Sequence, residues 1–164
     1  MSDAADGASN ATDGTDRTVG TDGTDAADGI HAVPSPFEQV GGEAAVRALV
    51  DRFYDLMELD PARAELRALH PGALDGSRDK LFWFLCGWLG GPQHCAERFG
   101  HPMLRARHLP FRIGIRERDQ WLACMRQAMT EQALEPALAQ RLAESFFGTA
   151  DWMRNQPGPV RKLT

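Results

Sequence analysis

The spacing of apolar side chains constrains this chain more than any other feature. Val46, Leu49, Val50, Phe53, Tyr54 and Met57 follow one another at gaps of 3, 1, 3, 1 and 3. That order lines them along one face of a helix over about Glu43 to Glu58. A helical period returns with Leu81, Phe84, Leu85 and Trp88, with Trp121, Met125, Ala128 and Met129, and with Leu138, Leu142, Phe146, Ala150 and Met153. The predicted fold class is therefore all-α. The single strand candidate, Phe111 to Ile115, is too short to build a sheet.

Glycine and proline punctuate the pattern. Gly41-Gly42 allow a sharp turn into the first long helix. Pro61 interrupts the period, and the short helical piece after it is expected to end before His70-Pro71, because a residue preceding proline disfavours helix. Asp75 or Ser77 is expected to cap the next helix, which runs through Leu89 and stops at Gly90-Gly91-Pro92. A further helix is expected from about Arg116 to Gln132, and Pro136 suits the first turn of the last one. Pro92 to His108 has no amphipathic pattern and reads as irregular or weakly helical.

Before the first helical pattern the composition changes. The first thirty residues hold seven Asp and one Arg, repeat TDGT and AADG, and offer only Val19 and Ile30 as larger aliphatics. Such a segment buries too little surface to offset its chain entropy. The expected organisation is a disordered acidic tail at 1–33, one domain at 34–155 and a flexible C-terminal end at 156–164. The chain has 18 basic and 23 acidic residues, and residues 31–164 alone have 17 and 16. A balanced body argues against general nucleic-acid binding, which relies on concentrated positive charge. No stretch reaches the roughly 18 apolar residues of a membrane span, and the N-terminus lacks a signal-peptide pattern. A cytoplasmic protein with Cys86, Cys95 and Cys124 as reduced thiols is expected.

The chemistry must then lie in the helical body. Tyr54 and Trp121 bring an O–H and an N–H onto buried helix faces. They are either core residues with one hydrogen bond each, or polar ends aimed into a common cavity. His108 closes an arginine-rich run and suits either a metal ligand or a helix cap. His101 before Pro102 suits a turn. A zinc set of Cys86, His94, Cys95 and His101 lacks the close CxxC or HxxxH pairs that usually nucleate a tetrahedral site. The body carries no nucleophile elbow, phosphate-cradling glycine motif or paired-carboxylate signature.

Several segments taken in order carry a stronger signal. They are Phe53-Tyr54, Phe84-Leu85, Trp88-Leu89-Gly90-Gly91-Pro92, GHPMLRARHLPF at 100–111 and DQWLACM at 119–125. Together they resemble the group II truncated haemoglobins over about Phe37 to Asn155. The resemblance implies a truncated globin-like two-over-two helical sandwich holding haem b, with His108 as the proximal iron ligand. It further implies that Arg105 or, preferably, Arg107 meets a haem propionate, and that Leu81, Phe84 and Phe111 contact the cofactor.

On the opposite face it implies Tyr54 and Trp121 as hydrogen-bond donors to a bound ligand and His70 as a third donor. Ser77 matches the position that carries a distal histidine in many globins. The implied activity is reversible binding of oxygen, carbon monoxide and nitric oxide. The alternative is a haem enzyme for nitric-oxide dioxygenation or peroxide-dependent oxidation, served by a separate reductase because the chain has no flavin or nicotinamide module. A haem-free helical interaction protein is the reading from a different class. Two features depart from the family pattern: the long acidic N-terminus, and Cys95 where an aromatic haem-edge contact is often found.

Overall fold

The computed structural model describes residues 32–158. The acidic tail thus lies outside the described residues except for its last two positions, as do the final six residues of the chain. The helices are α1 (Pro36–Val40), α2 (Gly42–Leu59), α3 (Ala64–Ala68), α4 (Asp75–Trp88), α5 (His94–Phe99), α6 (Leu104–His108), α7 (Ile115–Glu131) and α8 (Pro136–Trp152), with a 3₁₀ turn at Pro61–Arg63. No strand occurs among the described residues. Phe111 to Ile115 is a connection in which Ile113 is tied to Asn155, and its last residue opens α7.

The core follows the helical period. On α2 the buried set is Val46, Leu49, Val50, Phe53, Tyr54, Leu56 and Met57. This helix packs on α4 and α7, and α7 packs on α8, so two helix pairs cross as a two-over-two sandwich. Leu122, Cys124, Met125, Ala128 and Met129 are buried from α7, and Leu138, Leu142, Ala143 and Phe146 from α8.

The helix ends show which local signals held. Gly41 takes φ 115°, the left-handed region that glycine enters without steric cost, and this turns the chain from α1 into α2. Pro136 starts α8, where the carboxylate of Glu135 accepts hydrogen bonds from Ala137 N and Leu138 N at 2.9 and 2.8 Å. The expected cap of α4 by Asp75 or Ser77 is not found. Leu74 holds the cap position without a side-chain bond, and both polar residues lie inside the first turn and a half of the helix.

At the other end of α4, Gly91 is required by close approach. A Cβ there would lie 2.5 Å from the Phe37 ring, and Phe37 N donates to Leu89 O at 2.9 Å.

Between α4 and α7 the expected irregular segment contains two short helices, α5 and α6. Neither buries a residue, so there was no apolar face for a periodicity to reveal. The chain also stays anchored just past the expected domain end. Gln156 N donates to Ile113 O at 3.1 Å.

Candidate functional site

One face of α4 organises the site. Ser77, Leu81, Phe84 and Trp88 recur at helical spacing and share a side. At its N-terminal end Ser77 stands next to Tyr54. At the other end Phe84 and Trp88 line a cavity of about 450 Å³, within the roughly 300–1,000 Å³ typical of small-molecule and cofactor sites. Met103, Leu104 and Arg105 contribute the facing wall, and Trp152 of α8 adds to it.

The polar end of this face is a tight aromatic cluster. Tyr54 is only 5% exposed. Its ring meets Phe53 edge-on at 5.0 Å and His70 edge-on at 5.7 Å. Phe53 in turn lies 5.2 Å from Trp121, which packs against Phe146 at 5.5 Å. Burial raises the Tyr54 pKa well above its ordinary value, against smaller opposing effects of Ser77 and the Arg78 guanidinium. The phenol therefore keeps its proton and is a permanent donor.

His70 is fixed differently. Its Nδ1 lies 3.0 Å from Leu66 O, and a carbonyl can only accept, so Nδ1 carries the proton. Burial holds the imidazole pKa below the ordinary value, opposed by the Leu66 bond and helped by the Arg67 charge. Neutral His70 thus presents Nε2 as an acceptor, where the family resemblance implied a donor.

This burial has a consequence for stability. The unfolded chain takes up a proton near pH 6.5, while folded His70 resists until lower pH. The contribution is therefore complete above pH ~6.5 and shrinks on acidification, by at most about 1.4 kcal/mol per pH unit. Denaturant unfolding at pH 7.5 and 5.5 should show a larger loss for wild type than for His70→Gln. Equal losses would count against this assignment.

His108 lies on α6, half-buried, with Nδ1 2.7 Å from Leu104 O. The carbonyl again dictates the tautomer, and Nε2 keeps a free lone pair. Leu104 lies on the cavity wall, so the His108 ring stands one helical turn from it. Arg105 is on that wall, bonded to Trp152 O and lying over the Trp152 ring at 5.6 Å. Arg107 is exposed, over the Phe99 ring at 5.4 Å. Neither arginine pairs with a carboxylate among the described residues.

The fold thus joins Tyr54, His70, Ser77 and Trp121 in one neighbourhood, and puts Phe84 and Arg105 on the cavity wall. Leu81 is half-buried against the core between these two regions. Phe111 is not among the cavity residues and is 43% exposed. Its carbonyl, however, accepts from the Asn155 amide at 2.7 Å.

Three supporting residues went unassigned in the sequence. Asn155 also donates toward His108 O at 3.4 Å and accepts from Ile113 N at 3.0 Å, bracing the turn after α6. Gln120 Oε1 accepts from Leu66 N at 2.9 Å, fixing the segment that carries His70 against α7. Arg78 reaches from α4 to Asp51 O and Asp55 Oδ1, each at 2.7 Å, and lies 5.6 Å from the Tyr54 ring centre. No local sequence signal marks such partners, because each contact joins segments far apart in the chain.

Comparison with known proteins agrees with this architecture. Residues 35–155 match the family described as bacterial-like globin. The chain is 40% identical over 122 residues to group 2 truncated hemoglobin YjbI of Bacillus subtilis, covering 74% of this chain and 89% of that protein. The structure of the group II 2-on-2 hemoglobin from Agrobacterium tumefaciens superposes with a TM-score of 0.74 at 44% identity, over 76% of this chain and 97% of the other. The truncated oxygen-avid haemoglobin from Bacillus subtilis gives a TM-score of 0.68 at 38% identity, over 74% and 100%. The chain belongs to the bacterial-like globin family, and its fold is that of the group II two-on-two truncated haemoglobins.

Proposed function

We propose that this protein holds haem b between α4 and α6 with His108 Nε2 as the proximal iron ligand, and reversibly binds oxygen and other diatomic gases beside Tyr54 and Trp121. The carrying observation is the 2.7 Å contact of His108 Nδ1 with Leu104 O. It fixes the ring orientation and leaves the other nitrogen as a neutral donor of electrons, the second-sphere arrangement expected of a metal-binding histidine.

The remaining residues fit the same group. Phe84, Trp88, Met103 and Leu104 offer an apolar wall to a macrocycle. Arg105 and Arg107 supply the cations nearest His108 in sequence, suited to propionates by charge-assisted hydrogen bonds. Haem supplies the ferrous centre at which a diatomic gas attaches.

What this chain adds is a directional environment. Tyr54 offers an O–H that burial keeps protonated. Trp121 offers an indole N–H from the neighbouring helix, and Leu81 and Phe84 limit water around them. An oxygen-avid relative from Bacillus subtilis supports oxygen as the ligand class. A cytoplasmic setting is part of the proposal; among the described residues no helix is long and apolar enough to cross a membrane. The proposed domain limits remain residues 34–155.

Visible spectra of the purified protein, after addition of hemin if needed, test this reading. Wild type should show a Soret band that shifts on reduction and again under oxygen or carbon monoxide. His108→Ala should lose the band or display altered coordination. A featureless wild-type spectrum with hemin present, or a mutant spectrum identical to wild type, would overturn the assignment.

A further inference from the structure

A second cluster lies where the start of α2, the end of α4 and the start of α5 converge. Cys86 Sγ, a ring nitrogen of His94 and a carboxylate oxygen of Glu43 all lie within 4.8 Å of one another. We infer that Glu43, Cys86 and His94 form a binding site for a divalent, borderline-soft metal ion of the zinc type, separate from the proposed haem site.

The donor set favours such an ion. Thiolate and imidazole are zinc ligands, and a carboxylate completes three protein donors, with water free to take the fourth tetrahedral position. Thiolate and carboxylate together balance a dication. Cys86 is fully buried, His94 is half-buried and Glu43 is exposed, so the site has a fixed inner ligand and a movable outer one.

His94 Nε2 and Glu43 Oε1 already touch. Around an ion, tetrahedral bonds of about 2.0–2.1 Å separate such a pair by about 3.3 Å, a change within reach of an exposed glutamate.

The surroundings hold the imidazole in place. Its ring stacks on Phe82 at 6.1 Å with an interplanar angle of 29°. Glu97 Oε2 lies 3.9 Å from Nδ1, beyond hydrogen-bond distance, and a rotation of this exposed side chain would bring it to the outer position seen in carboxylate–histidine–metal arrangements. The preceding loop is held by Gln93, whose amide donates to Gly87 O and Gly91 O at 3.3 Å each. Arg47 lies over Phe82 at 4.8 Å and pairs with Asp79, and its charge favours the Cys86 thiolate.

The proton balance is simple. Burial and the Glu43 charge push the Cys86 thiol up to about 11 against the opposing Arg47 charge, so the thiol has a proton to release. Binding the dication forms the Sγ–metal, Nε2–metal and Oε1–metal bonds. The Sγ proton leaves to solvent, and Nε2 gives up its proton to solvent while Nδ1, on the side of Glu97, carries one. No electron is transferred.

The test uses the full-length protein as purified. It is dialysed against zinc chloride, washed free of unbound metal, and measured for zinc per chain and for zinc-edge X-ray absorption. The expected result is close to one zinc per chain with one sulfur scatterer at about 2.3 Å and nitrogen or oxygen at about 2.0 Å. His94→Ala and the exposed substitution Glu43→Gln should lower retention at least tenfold, and Cys86→Ser should remove the sulfur scatterer. Cys95→Ser and His101→Ala should retain zinc as wild type does. Retention equal in wild type and His94→Ala, zinc without a sulfur neighbour, or dependence on Cys95 or His101 would overturn the inference. None of these outcomes depends on haem content.

Discussion

Tyr54→Phe and Trp121→Phe should each speed oxygen release from the reduced, haem-loaded protein by about 10- to 100-fold. The figure follows from losing one hydrogen bond to a partly charged acceptor, worth roughly 1.5–3 kcal/mol. Both substitutions remove a donor while keeping an aromatic ring. The Tyr54 ring would still pack on Phe53 and His70, and a phenylalanine at 121 would still face Phe53 and Phe146. Stopped-flow displacement of oxygen by carbon monoxide measures the rate directly. Tyr54 stands on α2 and Trp121 on α7, so the double variant should exceed the product of the single effects if either donor can compensate for the other. Unchanged rates in both single variants and in the double would remove them from the ligand site.

Phe53→Ala should produce the largest stability loss. The side chain is completely buried and joins the rings of Tyr54 and Trp121. Truncation of such a residue costs about 3–5 kcal/mol, from lost burial and an incompletely filled cavity. For a domain of this size that corresponds to a fall in Tm of roughly 10–20 °C. Phe53→Leu should recover much of it, because volume is better conserved. Thermal unfolding monitored by helical circular dichroism distinguishes the cases. A loss below about 1 kcal/mol for the alanine variant would mean that the cluster contributes little to the fold. Gas binding should weaken in parallel, since Phe53 separates the two donors it supports.

How much of this was legible depended on burial. The face of α2 was visible because its residues between Val46 and Met57 alternate between core and surface at a helical period. Pro136 was equally informative, since it fills a position whose N–H needs no partner. The helices α5 and α6 were not legible, having no buried residue to mark a face.

Ser77 misled for another reason. A small polar residue near a helix start resembles a cap, yet the chain places it one turn inside, beside Tyr54. The tautomer of His70 was invisible, because it depends on where Leu66 O lies. Likewise Cys86 and His94 were recognised as metal-type residues, but their third companion is Glu43, far upstream, in place of Cys95 and His101. Local spacing reports the faces of helices. Which faces meet is decided by packing between them.

The lack of buried residues in α5 and α6 also divides the protein energetically. These helices can open without exposing the apolar interior shared by α2, α7 and α8, so their opening costs less than global unfolding. His108, the proposed iron ligand, therefore rides on a part of the domain that opens more easily than the core. If haem sits where proposed, its entry and loss would be local events that leave the rest of the molecule folded.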